Sequence, residues 1–440
     1  MKNYYKISSI IFLTVLFFVL QTKSNTAFAL HSLATATNKN TPQLTESNKQ
    51  ITDKNKGLLS FLKNKSLSVF PVPIVESRPD EGESYGLMPV LLFTDKDTQA
   101  ISTILAALGQ YNSITKGSGA FIVYHYPHPV ENPDELFEFY VEISQKYYRE
   151  TTAHYLNPKF LKHYFLETSF SWLKSPFPRF YGYGANTTKA GQSNYVGRNF
   201  VFDTTFGYYL TNHFRINVSE LYSTTDLLSR AFPNVADTLT LYGAQAGVHD
   251  ASTLVHALSL TYDTRPDGLN STQGFFLQGK YFFSIKDIFS DNTFQGFNLE
   301  AIKLVPFWHE RMITAIRFFF QDMYGNGIPF YLQSTLGGPN ELRAFIPSRF
   351  TDNGKFILSI EQRIHVVSLK LFGNSVNLFL DPFFELGRVF DNVNNFGFNN
   401  LQPVGGLGLR SFVPPNVVGR LDLAFGKEGY AVYTMLGYAF

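Results

Sequence analysis

From about residue 81 to the end, apolar and polar positions alternate with a period of two. The last segment is the clearest. Tyr430, Val432, Thr434, Leu436, Tyr438 and Phe440 fall on one face, and Ala431, Tyr433, Met435, Gly437 and Ala439 on the other. Successive side chains of a strand point to opposite faces, so this pattern predicts a strand. A turn, Gly426-Lys427-Glu428-Gly429, precedes it. Before the turn, Leu421, Leu423 and Phe425 alternate with Arg420, Asp422 and Ala424, so one face of that strand carries charge. The same grammar recurs upstream. Phe356, Leu358, Ile360 and Gln362 alternate with Ile357, Ser359, Glu361 and Arg363, and Phe137, Phe139, Val141 and Ile143 with Glu138, Tyr140, Glu142 and Ser144.

Further strand-like runs lie at 84–94, 99–111, 118–126, 160–172, 195–209, 213–224, 238–250, 253–263, 273–285, 294–305, 310–323, 376–390 and 403–412. Turn residues such as Thr211-Asn212, Asp291-Asn292 and Asn353-Gly354 separate them. Seventeen runs arise in this way. Closed single-chain bacterial barrels take even strand numbers. The expectation is therefore an all-β chain with sixteen antiparallel strands over residues 81–440, the miscounted run lying in 118–172.

Composition decides where such a sheet lives. The chain has 440 residues, no Cys, 37 basic and 35 acidic side chains, and a formal charge of +2. Charged residues make up 16%, below the roughly 25% of an ordinary soluble domain, and aromatics also 16%. The apolar fraction is too high and the net charge too low for a disordered chain. A disulfide scaffold is excluded without Cys. The balanced charge argues against nucleic acid as a partner. No stretch after residue 20 approaches the length of a spanning helix.

The N-terminus reads as an address. Lys2 and Lys6 precede an apolar run from Ile10 to Leu20, and Ala27-Phe28-Ala29 follows. A basic start, a short apolar run and a small-residue site make a secretory signal peptide over residues 1–29. Residues 30–80 are rich in Thr, Asn, Ser and Lys up to about Lys56 and cannot bury a core. They read as a flexible periplasmic lead, extended at Phe70-Pro71-Val72-Pro73-Ile74. With export, alternation and aromatics near strand ends, the expected fold is a transmembrane β-barrel in the bacterial outer membrane. Its apolar face meets lipid, its polar face lines a lumen, and aromatics form girdles at both interfaces.

Chemistry-bearing motifs are sparse. His125-x-x-His128 is too weak for a metal pair, because strand residues three apart face opposite ways and Pro127 and Pro129 mark a loop. No hydrolase, metalloprotease or phosphate-loop signature is present. No cofactor, metal or enzymatic activity is expected. Inward charges such as Arg420 and Asp422 read either as tuning ion passage or as structural pairs.

Four stretches carry a family resemblance. They are Phe180-Tyr181-Gly182-Tyr183-Gly184-Ala185-Asn186-Thr187; Tyr262-Asp263-Thr264-Arg265 with Leu269 to Phe276; Leu336-Gly337-Gly338-Pro339-Asn340-Glu341-Leu342-Arg343-Ala344-Phe345; and Gly405-Gly406-Leu407-Gly408-Leu409-Arg410 with the closing strands. In this order they resemble the bacterial surface-antigen superfamily, the family of outer-membrane assembly barrels of the BamA and TamA type and of two-partner secretion transporters.

The resemblance implies sixteen strands and a long extracellular loop folded into the lumen, here from about Tyr324 to Asp352. It implies that the loop motif of Gly337, Gly338, Leu342, Arg343 and Phe345 sends Arg343 inward to acidic partners. By motif match these are Glu361 and Glu385, the latter in the strand motif with Phe383 and Gly387. A planar guanidinium holds carboxylates bidentately and stays charged. Ala344 stands where the family usually has Gly, so the loop tip is expected to differ. Val432, Leu436, Tyr438 and Phe440 resemble the C-terminal signal by which barrels are recognised for insertion. The upstream periplasmic repeats of the relatives are not found, so a short, barrel-only member is expected.

The implied function is assistance to insertion or translocation of other outer-membrane proteins or lipids. It would use a weak seam joining Ser84–Thr94 to Tyr430–Phe440. The alternative is a passive pore or a structural barrel without clients. Expected partners are outer-membrane lipid, the barrel-assembly machinery for the chain's own insertion, and unfolded protein or lipid clients.

Overall fold

A computed structural model of the protein describes residues 64–440 apart from 79–80, 99, 246, 267–270, 309–310, 372–373 and 414–416. The expected signal peptide, and the expected lead up to residue 63, lie outside the described residues. The sheet begins with β1 (Lys65–Arg78), β2 (Gly82–Asp95), β3 (Ile101–Asn112), β4 (Lys116–His125), β5 (Leu136–Ser144) and β6 (Arg149–Phe160). It continues with β7 (Tyr164–Ser175), β8 (Val196–Tyr209), β9 (Phe214–Leu228), β10 (Ala251–Asp263), β11 (Gly274–Ser284) and β12 (Phe294–Phe307). It ends with β13 (Met312–Gly325), β14 (Gly354–Leu371), β15 (Asn374–Phe390), β16 (Gln402–Val413), β17 (Val417–Gly426) and β18 (Gly429–Leu436). Each strand pairs with the next in sequence, and β18 pairs back onto β1, so the barrel is closed.

The strand number is eighteen, not sixteen. Two strands escaped the alternation. β1 lies within the stretch expected as a lead, where Pro71 and Pro73 argue against a ladder. Two residues apart, these prolines remove donors from one edge only, and β1 tolerates that as the first strand, at the seam. β6 is polar on both faces and carries Pro158, beside which its register with β7 shifts between Asn157 and Phe160. Conversely, 238–250 is not a strand. Asp237 caps a short helix, Thr238–Tyr242, by accepting from the backbone N–H of Leu239 and Thr240. Because β1 is a wall strand, the seam joins β1 to β18, and Ser84–Thr94 lies in β2 instead.

Connections after odd-numbered strands lie on one rim and those after even-numbered strands on the other. The three long loops, 176–195, 229–250 and 326–353, all follow odd-numbered strands. Outer-membrane barrels turn their long loops outward and their short turns toward the periplasm.

Faces follow the alternation. In β9 and β10, Val218, Leu258 and Leu260 are exposed, at 53%, 54% and 47%, while Asn217, Ser219, Ser259 and Thr261 are buried. Inside, Asn217 Nδ2 donates to Ser259 Oγ at 2.9 Å and Thr261 Oγ1 at 3.1 Å, and Gln278 Nε2 donates to Thr261 Oγ1 at 3.0 Å. This wall has the polar interior expected of a lumen. The wall of β1 to β4 does not. Phe70, Ile74, Met88, Val90, Leu92, Ile104 and Ile122 are buried in one apolar cluster with Val376 of β15 and Val413 of β16, which by register stand on the strand faces opposite Asp381 and Arg410. This wall therefore buries an apolar face rather than a polar one, which the averaged pattern could not reveal.

Candidate functional site

The loop between β13 and β14 enters the lumen as a hairpin. Ser334–Leu336 pairs with Phe350–Asp352, and Gly337 and Gly338 turn the chain with φ of +118° and +111°. A Cβ on Gly337 would stand 2.1 Å from the Ile346 carbonyl oxygen, so only Gly fits. Positive φ also occurs at Leu342 (51°) and Ser348 (56°), but not at Ala344. Ala344 thus needs no left-handed backbone, and the loop takes its left-handed turns at Leu342 and Ser348.

The hairpin brings its apolar side chains onto the lumen wall. Leu336, Leu342, Ala344, Phe345 and Phe350 cluster with Ile357, Phe383, Val389, Val404 and Ala424. Glycines in the wall make room. A Cβ on Gly387 would meet Leu336 Cδ1 at 3.1 Å, and one on Gly426 would meet the Ala344 Cβ at 2.9 Å.

Arg343 sits at the centre. Its Nε donates to Glu385 Oε1 at 2.9 Å, and its backbone N–H donates to Glu385 Oε2 at 2.7 Å. Its Nη2 lies 2.9 Å from Glu361 Oε1, and its Nη1 donates to Asp422 Oδ2 at 3.0 Å. The guanidinium carbon stands 3.5 Å from the centroid of the Phe383 ring. Glu361 and Glu385 come from adjacent strands, β14 and β15, and both side chains are fully buried. The structure thus gathers Arg343, Glu361, Glu385, Phe383 and Gly387, the residues singled out by their motifs.

It adds a third acid, Asp422 of β17. Asp422 also accepts from Arg410 Nη1 at 2.5 Å and lies 3.5 Å from Arg420 Nε. Arg410 lies 3.2 Å from Asp381, and Arg363 lies 3.4 Å from Glu361. Four arginines, 343, 363, 410 and 420, thus face four carboxylates, 361, 381, 385 and 422, all 3% exposed or less. Equal and opposite charge lets the group stay buried, whereas a single unpaired member would carry a large desolvation cost. The inward positions of Arg420 and Asp422 were legible, but not their role as loop anchors. Arg420 Nη2 donates to the Pro339 carbonyl oxygen at 3.1 Å and to Asn340 Oδ1 at 3.0 Å, within the loop itself.

A second anchor was missed. Arg349 donates through Nε and Nη2 to Glu428, the shortest contact being 2.7 Å, and Glu428 is in the turn between β17 and β18. Arg349 also donates to Thr187 Oγ1 and its carbonyl oxygen, both at 2.9 Å, and stacks over Tyr181 at 4.1 Å. Gly184 N–H donates to the Thr351 carbonyl oxygen at 2.9 Å. The stretch from Phe180 to Thr187 therefore grips the lumen loop from the long-loop rim.

Other sequence-predicted residues fall elsewhere. Asp263 and Arg265 form a bidentate pair, at 3.0 and 2.9 Å, beside the β10–β11 connection. His125 Nδ1 lies 3.0 Å from Thr103 Oγ1, whereas His128 Nδ1 lies 2.6 Å from Glu135 Oε2, so the two histidines serve different partners. The last strand stops at Leu436. Gly437 has φ +84°, and the chain then turns into the lumen. Ala439 and Phe440 pack with Ile302, Leu304, Ile313 and Ala315, and Arg363 stands over Tyr438 at 3.9 Å. Tyr438 and Phe440 thus do not share an outward lipid-facing surface with Tyr430, because Gly437 breaks the strand.

BamA from Haemophilus ducreyi lacking POTRA domains 1–3 superposes with a TM-score of 0.50 at 12% identity, covering 88% of this chain and 78% of that one. CdiB from Escherichia coli superposes with a TM-score of 0.45 at 10% identity, covering 88% and 70%. No curated protein matches this sequence. The Omp85 superfamily domain matches residues 135–429, which contain the first three motif stretches, Gly405 to Arg410 and both loop anchors. The chain is an outer-membrane β-barrel that belongs to the Omp85 superfamily.

Proposed function

We propose that this barrel assists the insertion or translocation of other outer-membrane proteins or lipids through its wall, at the seam between β1 and β18. The observation that carries this reading is the contrast between an anchored lumen loop and a short seam. β18 has eight residues and is the shortest strand of the barrel. It pairs with β17 along its whole length, from Gly419↔Leu436 to Gly426↔Gly429. Toward β1, among the described residues, it pairs at Ser77↔Val432, with Thr434 Oγ1 donating to the Val75 carbonyl oxygen at 3.1 Å. A strand of eight residues can offer only a short ladder to its neighbours, which makes the closure at β18 a line along which the wall can part. Arg349 ties the loop to Glu428, the residue immediately before the start of that seam strand. Loop position and seam are thereby mechanically linked.

The rival reading is a passive pore. The loop held inside the lumen by Arg343, Arg349 and Arg420 favours passage through the wall over passage along the axis. Partners under this reading are lipid, the assembly machinery that would read Val432, Leu436, Tyr438 and Phe440 before the barrel has folded, and unfolded clients. The test is depletion of the protein, followed by quantification of other outer-membrane proteins and surface lipid. A fall in specific clients supports the proposal. Unchanged levels with altered small-solute permeability would favour the pore.

A further inference from the structure

The lipid-facing wall of β7 to β10 carries a polar row at mid-height. Thr168, Thr204, Glu220 and His256 are successive register partners across the four strands. All four lie on the outward face, because the alternate residues Asn217, Ser219, Ser259 and Thr261 point into the lumen. The rows beside it are apolar. Phe206, Val218 and Leu258 lie on one side, and Phe202 and Tyr222 on the other. Glu220 is the seventh residue of the fifteen in β9, so the row lies near the middle of the spanning belt.

The two threonines are satisfied locally. Thr168 Oγ1 donates to the Asp203 carbonyl oxygen at 3.3 Å, and Thr204 Oγ1 to that of Glu167 at 3.4 Å. Glu220 and His256 are different. His256 Nδ1 lies 2.7 Å from Glu220 Oε2, and their side chains remain 26% and 44% exposed, respectively. Among the described residues neither has another polar partner, and the His256 ring packs on Phe283 at 5.2 Å. One carboxylate oxygen and the second ring nitrogen therefore point at hydrocarbon. An ionisable group at that depth is costly unless something else completes its hydrogen bonds.

Lipid headgroups do not reach the middle of the belt, so the missing partner is protein. The pair itself indicates which. An acceptor and a donor stand side by side, as register partners on neighbouring strands. A second copy rotated by 180° about an axis along the membrane normal would set its His256 against this Glu220, and its Glu220 against this His256. Such self-complementarity is what a two-fold interface requires. The flanking Val218 and Leu258, register partners one row away, would pack against their counterparts. We infer that two copies of this chain associate in the membrane through β8 to β10, with Glu220 and His256 of each copy completing the pair of the other.

The chain has no Cys, so introduced thiols report alone. Two singly substituted full-length proteins, Val218→Cys and Leu258→Cys, are co-expressed with different tags and oxidised in native membranes. The two-fold predicts a disulfide between the differently tagged copies. Adding Glu220→Leu and His256→Leu to both should leave each barrel folded, since leucine suits lipid, and lower the cross-link roughly tenfold. The swap Glu220→His with His256→Glu keeps the complementarity and should restore it. Absence of a cross-link between folded wild-type-background copies would overturn the inference. So would a cross-link that the leucine pair leaves unchanged, or one formed only to a different protein.

Discussion

Arg343 binds Glu385 twice, by its guanidinium Nε at 2.9 Å and by its own backbone N–H at 2.7 Å. One carboxylate thus fixes both the side chain and the main chain of the loop tip. A lysine could replace the charge but not the fork, and an alanine would leave Glu361, Glu385 and Asp422 facing each other without their shared cation.

Arg343→Ala is therefore expected to free the loop and to cost about 3 to 5 kcal/mol. The rate at which a single cysteine placed at Asn340 is labelled in membranes should rise sharply. Arg343→Lys should fall between wild type and alanine. Unchanged labelling in both would remove the anchor from the account.

The wall glycines should matter as much as the charges. Gly426→Val would place a branched side chain where the Ala344 Cβ already approaches to 2.9 Å. Overpacking of this kind costs about 1 to 3 kcal/mol. The expected result is a lowered unfolding temperature of the barrel, partly recovered by Ala344→Gly.

The anchor at the rim should act on the seam. Glu428→Ala removes a charged acceptor from Arg349, an effect of about 1.5 to 3 kcal/mol. It should speed labelling of a cysteine at Ser77, across the seam from Val432, as well as of one in the loop. Faster loop labelling with an unaltered seam would separate the two and break the proposed linkage.

Sequence reading reached the lumen anchor because Arg343, Glu361 and Glu385 sit in motifs and on predictable faces. Asp422 alternated inward just as clearly, but nothing in a linear pattern says which of several inward charges meets the loop. β1 and β6 were hidden for the opposite reason. Pro71, Pro73 and Pro158 are strand-breaking by propensity, and only closure of the barrel makes them tolerable at a seam or beside a register shift. The helix at Thr238–Tyr242 imitates a strand because Leu239 and Leu241 alternate, while the capping role of Asp237 depends on its backbone geometry. Gly437 ends β18 through a positive φ that periodicity does not record.

A pH dependence follows at the base of the lumen hairpin, outside the spanning strands. Burial pushes the Asp352 carboxyl up to about 6 from 3.8, with Asp391 adding to the rise and the Asn353 N–H and Arg388 opposing it. A raised value means that the folded hairpin prefers the neutral acid. Its contribution is complete below 3.8 and is lost as pH rises through 6. Loop labelling should therefore accelerate over that window. Asp352→Asn should flatten the profile and slow labelling at neutral pH.

The central claim, passage through a parting seam, is tested most directly by locking it. Ser77 and Val432 are register partners, and antiparallel partners lie within disulfide reach. In the otherwise cysteine-free chain, Ser77→Cys with Val432→Cys should form one disulfide under oxidation. The account predicts that the locked barrel fails to restore client levels after depletion of the wild-type protein, and that reductant restores them. Full restoration with the seam quantitatively cross-linked would contradict it.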